Sequence, residues 1–323
     1  MIRLRLFFRI LSVFLSFVSA AAGFAQQNVD KIAISILKGP SGIGSAWMME
    51  NPPTSAGVKF EFMTAGSADI VVAKLISGEI DAGVLPLNVA AKLYNAGVPI
   101  KALAVVGNGM VKFLTIDPSI KNLSDIRGKE INIAGQKATP DYLFRFLAEK
   151  ENLKAGSDYL AVYNLAYPEI AAQLAAGKIS SAVLPEPFAT QALLLNRALA
   201  SPIDLDSLWT QKTGLESYPM SLLVISKRFA AGHPEAAIAL SAAYGESIRK
   251  VLADPAATGK IAESLDLGMT AAVARIAIPS SAYVYIPAPE ARKSIEAFLG
   301  IFLAYDAQSI GARLPGPDFY QAF

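Results

Sequence analysis

The sequence predicts an α/β protein built as two similar, doubly wound lobes, and three observations point there. From residue 31 onward, short apolar runs alternate with stretches of helical character, the pattern of strand–helix–strand winding. The segment Leu75–Ala90 (LISGEIDAGVLPLNVA) matches Leu174–Ala189 (LAAGKISSAVLPEPFA) without gaps at seven of sixteen positions. Both copies read as helix, glycine cap, buried strand and proline-marked helix, although two ordinary strand–helix units of common design would also produce the match. Finally, 323 residues with 53% hydrophobic content are enough for about two domains.

The first 25 residues read as a cleavable export signal. Arg3, Arg5 and Arg9 are the only charges before Asp30, and an apolar run from Ile10 to Val18 leads into a small-residue stretch, Ser19–Ala25. A basic start, a short apolar middle and a small–x–small end (Gly23, Ala25) place cleavage after Ala25. An uncleaved membrane anchor is the alternative, but the apolar run is short for a bilayer span of about 20 residues. Losing three arginines takes the formal charge from +2 to −1. With no Cys anywhere, a lipid anchor on cysteine is excluded, and a soluble periplasmic location is expected.

Each element then follows in order. Lys31–Leu37 reads as a strand, followed by the turn Lys38-Gly39-Pro40-Ser41-Gly42-Ile43-Gly44, which is too glycine-rich for a buried element. Val58–Met63 is the next strand, and Gly66-Ser67 opens a helix to about Ser77. Asp81–Leu85 is a strand with Pro86 at the first position of another helix, and Lys101–Val106 is a strand. A second set begins with a short helix, Asn122–Arg127, and a strand, Glu130–Ala134. Thr139–Lys150 is a helix with Thr139 as N-cap and Pro140 at N1. Tyr159–Val162 and Ser181–Leu184 are strands, and Tyr167–Ala176 and Pro185–Leu195 are helices. Pro219–Ile225 is extended, and the remainder is mostly helical: Pro234–Leu252, Ala256–Leu265, Ala271–Ile276 and Ala288–Ala304.

Composition removes much chemistry. The absence of Cys excludes thiolate nucleophiles and Cys-ligated zinc or iron–sulfur sites, and a single His, His233, excludes sites built on two imidazoles. His233 sits in a Gly-His-Pro stretch and reads as an exposed turn residue. Near-neutral charge gives no basic face for nucleic acid. GPSGIG is neither a nucleophile elbow nor a dinucleotide fingerprint, and no phosphate-binding loop occurs. No cofactor or metal is expected.

In open parallel sheets, ligands bind beyond the carboxyl ends of strands, where helix N-termini converge. The residues there are small and polar in both halves: Lys38, Gly39, Pro40, Ser41 and Gly42; Thr64, Ala65, Gly66 and Ser67; Pro86, Leu87 and Asn88; Gln136, Lys137, Ala138 and Thr139; Pro185 and Glu186. Each also has an ordinary explanation as a turn or a cap, and Glu186 at N2 equally suits a helix dipole. Trp47 and Tyr142, on neighbouring helices, read as core residues.

The runs KIAISILKGPSGIG (31–44), LISGEIDAGVLPLNVAAKLYNAG (75–97), IAGQKATPDYLFRFLAEKENL (133–153) and AVLPEPFATQALL (182–194) together resemble a bacterial family. It is the solute-binding proteins of ABC-type importers in the nitrate/sulfonate/taurine and thiamine-precursor group. Within it, the likeness is to a branch marked by L-K-G-P-[ST]-G and G-[KQ]-x-A-T-P. The resemblance covers roughly residues 31–225 and implies a type II periplasmic-binding fold. Two lobes, residues 26–112 with 220–323 and residues 113–219, would be joined by crossings near Met110–Asp117 and Leu215–Ile225. It implies a monomer that closes on a small molecule at the loops named above and delivers it to an inner-membrane permease with its ATPase. Glu186 departs from the branch, where Gln is usual, and argues against a purely anionic ligand unless Lys38 or Lys137 offsets it. No Arg stands in these loops, which tilts the ligand toward a neutral or mixed-charge heterocycle. Two other readings stay open: a periplasmic enzyme of the same fold acting on a small heterocycle, and a sensor that presents its ligand to a membrane receptor. Related pyrimidine synthases rely on His and Cys groups that this chain lacks.

Overall fold

Two β-sheets organise the chain in this computed structural model, which describes residues 30–55 and 57–323; the export signal expected over residues 1–25 lies outside them. Among the described residues, the first strands are β1 (Asp30–Leu37), β2 (Thr54–Ser55), β3 (Val58–Ala65), β4 (Ala82–Pro86) and β5 (Ile100–Gly107). The chain then crosses through Asn108–Met110 to β6 (Val111–Thr115), β7 (Glu130–Ile133), β8 (Leu160–Val162) and β9 (Ser181–Pro185). It returns as β10 (Ser221–Ser226) and adds β11 (Tyr283–Pro287). The first sheet has the order β11-β5-β10-β4-β1-β3-β2 and the second β6-β9-β7-β8. β4 runs parallel to β1, and β10 inserts antiparallel between β4 and β5, with Leu223 opposite both Val84 and Ala104. β4 and β10 are buried along nearly their whole length, which is why they read as unbroken apolar runs.

The helices cover these sheets. In chain order they are α1 (Pro40–Ile43), α2 (Ala46–Glu50), α3 (Ala68–Ser77), α4 (Leu87–Asn95), α5 (Thr139–Lys150), α6 (Tyr167–Ala175), α7 (Phe188–Leu195) and α8 (Leu205–Thr213). After β10 come α9 (Lys227–Gly232), α10 (Pro234–Ala253), α11 (Pro255–Ser264), α12 (Ala271–Ala277) and α13 (Ala288–Tyr305). One apolar core runs unbroken through both sheets: Leu85 and Val105 of the first and Phe113 and Ile131 of the second share it with Ile295, Phe298 and Phe302 of α13. A second core lies between the first sheet and α10–α12, and a third joins β9 to α6 and α7.

Several local expectations need correction. Pro86 and Pro185 end strands rather than open helices, because ladder partners hold them extended: Pro86 faces Ser221 and Pro185 faces Val111. The helix expected from Pro185 starts at Phe188, after the cis Glu186–Pro187 bond, so Glu186 precedes it instead of occupying N2. Thr139 lies inside α5 with Ala138 at the cap; Asp141 ties down the preceding loop by accepting the Lys137 N–H at 2.8 Å. The glycine-rich segment after β1 contains a short helical turn that is half-buried at Pro40 and Ser41 and buried at Gly42 and Ile43. Gly42 is needed there for packing, since a Cβ at this position would stand 2.2 Å from the Leu37 carbonyl oxygen. The Asn122–Arg127 helix is a 3₁₀ turn, Leu123–Ile126, boxed by Asn122 and Asp125. His233 is half-buried between α9 and α10, with its ring 4.7 Å from that of Phe229. Strand β11 and helices α8 and α9 were not expected.

Candidate functional site

The loops that leave the carboxyl ends of β1, β4, β7 and β9 converge between the two sheets. They enclose a cavity of about 220 Å³. Pro40, Ser41, Pro86, Asn88 and Val89 line it from the first sheet, and Ala138, Thr139, Pro140, Tyr167 and Pro185 from the second. Met110, Met220 and Ser221 close it at the crossings. Ser41 and Ser221 share a hydrogen bond between their hydroxyls at 3.0 Å, which ties the first turn of α1 to the returning strand. The first turns of α4 and α5 both face the cavity, so their amides and positive dipole ends are directed at its contents. Its polar side chains are hydroxyls and one amide, and none of its lining residues carries a charge. Such walls donate and accept hydrogen bonds to a small neutral or anionic group.

The second-sheet wall is built on a strained loop. Gly135 has φ +72° and Lys137 has φ 61°, a left-handed conformation that is costly for a side chain other than glycine. Asp141, fully buried, holds it through the Lys137 amide and accepts from the Tyr163 hydroxyl at 2.7 Å. Gly135 also makes room for Tyr167: a Cβ there would meet the Tyr167 hydroxyl at 2.7 Å. Burial pushes the Tyr167 phenol up, so it stays a neutral hydrogen-bonding group at physiological pH.

The residues singled out from sequence fall into separate places. Pro40, Ser41, Pro86, Asn88, Ala138, Thr139 and Pro185 line the 220 Å³ cavity. Gly39 donates its N–H to Leu267 O at 2.7 Å, and Lys38 pairs with Asp266. Thr64, Gly66 and Ser67 are exposed, and Ala65 is buried with its carbonyl accepting from Lys38 N at 2.9 Å. Leu87 is a core residue. Gln136 and Lys137 face a second cavity of about 400 Å³ with Tyr142, Arg145, Tyr305 and Asp306, and Lys137 pairs with Asp306 at 3.1 Å. Trp47 donates its indole N–H to Thr258 at 2.8 Å, and Tyr142 is buried in contact with Phe302 and Tyr305.

Glu186 faces a third cavity of about 560 Å³. Only 2% exposed, it accepts the Thr190 N–H at 2.9 Å. Burial pushes its carboxyl up, against the opposing pull of Thr190 and of the Lys112 charge. The cation acting on Glu186 is therefore Lys112, not Lys38 or Lys137. Sequence reading missed Lys112 as well as Val89, Met110, Pro140 and Ser221. Tyr167, an aromatic opening a helix at a strand end, lines the cavity as well.

Residues 17–266 match the NMT1-like family. The chain belongs to that family. This NMT1-like protein is also similar to solved structures. An ABC transporter protein from Parabacteroides distasonis is 29% identical over 91% of this chain and 99% of that one, with a TM-score of 0.80. The periplasmic aliphatic sulphonate binding protein of Escherichia coli is 16% identical, covers 91% and 94%, and has a TM-score of 0.67. The alkanesulfonate-binding protein of Xanthomonas axonopodis pv. citri, bound to MOPS, is 18% identical over 90% and 98%, with a TM-score of 0.65. No curated protein matches the chain. The NMT1-like protein thus has the two-lobed α/β fold of the type II periplasmic-binding kind that the sequence resemblance implied. Among its described residues no helix is long and apolar enough to cross a membrane, and no cluster of three or more His, Asp or Glu side chains is placed to hold a metal ion.

Proposed function

We propose that this protein is the solute receptor of an ABC-type importer, exported to the periplasm, which captures a small molecule between its lobes by hinge closure. The observation that carries the reading is the 220 Å³ cavity in which both sheets contribute strand-end loops and helix N-termini. It is smaller than the roughly 300–1,000 Å³ of sites for drug-sized ligands, so the cargo is small. The hinge would be the paired crossings. Met220 N–H donates to Gly107 O at 2.8 Å, and Gly109 N–H donates to Ser217 Oγ at 3.2 Å. Residues 26–112 with 220–323 would form one lobe and 113–219 the other. The uncharged wall suits a sulfonate, a carboxylate or a neutral heterocycle held by hydroxyls and amides. In this reading the monomer binds without catalysis, and its further partners are a permease and its ATPase.

A thermal-shift screen of the purified protein against sulfonates, carboxylates, pyrimidines and vitamin precursors tests it. A ligand at 100 times its Kd adds about 2.7 kcal/mol of stability. The hit should be recovered unchanged, and Thr139→Ala should weaken it about tenfold in calorimetry, or about 1.4 kcal/mol. Turnover of the hit would replace this reading with the enzyme. A hit indifferent to Thr139→Ala and Asn88→Ala would move the cargo out of this cavity.

A further inference from the structure

The largest of the three cavities described above shares no lining residue with the proposed cargo cavity. The two are neighbours, since Pro185 lines one and Glu186 the other. Its floor follows from spacing along the chain. Thr190 and Leu194, one helical turn apart, line it from α7, with Glu186 just before that helix and Arg197 just after it. Lys112 lines it from β6 and Asp206 from the first turn of α8, and Ile276 of α12 and Ser280, just beyond that helix, complete the lining.

The charges on this wall do not balance. Three carboxylates, Glu186, Asp204 and Asp206, face two cations, Lys112 and Arg197. Lys112 is engaged with Asp206 at 3.4 Å, and Arg197 is exposed. That leaves Glu186, the most buried of the three, accepting from Thr190 and within reach of the Lys112 charge, but with no lysine or arginine ion-paired to it. The second carboxylate oxygen of Asp206, Oδ1, is also buried without a hydrogen-bond partner. A buried carboxylate whose nearest cation is paired to another group is held at an energetic disadvantage that a bound cation lessens. Among the remaining lining, Leu193, Leu194, Ile203 and Ile276 form an apolar wall beside the hydroxyls of Thr190, Ser201 and Ser280. Such a wall suits an organic body better than a bare metal ion, which needs several oxygen ligands converging on one point.

We propose that the chamber beside Glu186 is a second binding site, separate from the cargo cavity, for a small organic cation that places an ammonium or amidinium against Glu186 and an apolar body against Leu194 and Ile276. The raised position of the Glu186 carboxyl agrees with this, because it marks a charge that the protein alone does not fully compensate. The proposal stands apart from the importer reading: it concerns a different cavity and holds whether or not a cargo is found for the first.

Benzamidine serves as the probe: its amidinium matches a carboxylate edge and its ring fits an apolar wall. Calorimetric titration of the purified protein should give saturable binding of benzamidine and none of benzoate, which has the same shape and the opposite charge. Glu186→Gln retains an oxygen to accept the Thr190 amide, so it should fold; it should weaken benzamidine at least tenfold. Leu194→Trp, which fills the chamber from its half-exposed wall, should abolish binding while the melting temperature stays near that of the parent. Thr139→Ala, in the other cavity, should leave the benzamidine Kd unchanged. Equal binding of benzoate, an unchanged Kd in both Glu186→Gln and Leu194→Trp, a loss in Thr139→Ala, or no binding by the parent protein would each overturn the proposal.

Discussion

The two flanks of the space between the sheets are built on opposite principles. On one, α13 fills the gap with rings. Phe298 packs against Trp209, Tyr218 and Phe302 at centroid distances of 5.4, 5.3 and 5.3 Å, and Phe302 meets Tyr142 edge-on at 4.8 Å. Trp209 and Tyr142 belong to helices of the second sheet, so this flank is a single dry core shared by both. On the other flank Lys112, Glu186, Asp204 and Asp206 of the second-sheet side face Ile276 and Ser280 across a chamber where carboxylates outnumber cations. Dispersion and apolar burial favour one close-packed arrangement, whereas a solvated, charged gap tolerates changes in width.

The largest effect should come from breaking the aromatic flank. Phe298→Ala removes a ring with no exposure at the centre of the aromatic flank and should cost about 3–5 kcal/mol in denaturant unfolding. A loss under about 1 kcal/mol would mean that the flank is not a continuous core. Next comes the seam between the flanks. A Cβ on Gly109 would stand 2.4 Å from Asp206 Oδ1 and 3.0 Å from a Tyr218 ring carbon. Gly109→Ala should therefore cost about 1–3 kcal/mol and shift the near-ultraviolet signal of the surrounding rings.

On the charged flank the sign reverses. Glu186 has its folded-state pKa raised, chiefly by burial, so its ionised form weakens the fold above that value and the deficit vanishes below the unfolded carboxyl value of about 4.3. Glu186→Gln should thus stabilise the ligand-free protein by about 1 kcal/mol at pH 7, with the gain fading as pH falls toward 4. A variant less stable than its parent at pH 7, with a difference independent of pH, would show that the carboxylate is compensated after all. The smallest effect belongs to the exposed Lys137–Asp306 pair. Lys137→Ala should change stability by less than about 1 kcal/mol, and less still in high salt, because Lys137 is 67% exposed.

How much of this was legible in the sequence depends on where each signal resides. Strands buried on both faces, such as β4 and β10, announce themselves as apolar runs, and Gly78 ending α3 and Pro234 opening α10 are local signals. β11 was missed although Tyr283-Val284-Tyr285-Ile286 is a run of β-formers, because it is short and flanked by long helices. α8 was missed although Asp204 caps it by accepting from two amides. For the site, strand-end loops could be located by topology, and their small, polar residues are visible in the sequence. Which cavity each residue faces is set by tertiary geometry. Glu186 and Pro185 are adjacent in the chain yet line different chambers, Lys137 turns toward Asp306 while Ala138 faces the cargo cavity, and nothing in residue type separates them.

The place of β10 also bears on how the protein is made. Ser221–Ser226 fills the slot between β4 and β5, so it completes a sheet begun over a hundred residues earlier. Until that segment is in place, β4 and β5 each keep an open apolar edge, while β6–β9 can already pair among themselves. The folding chain should therefore assemble its inner portion first and its outer portion last, with a vulnerable interval between the two in which unpaired edges invite aggregation or capture by a chaperone.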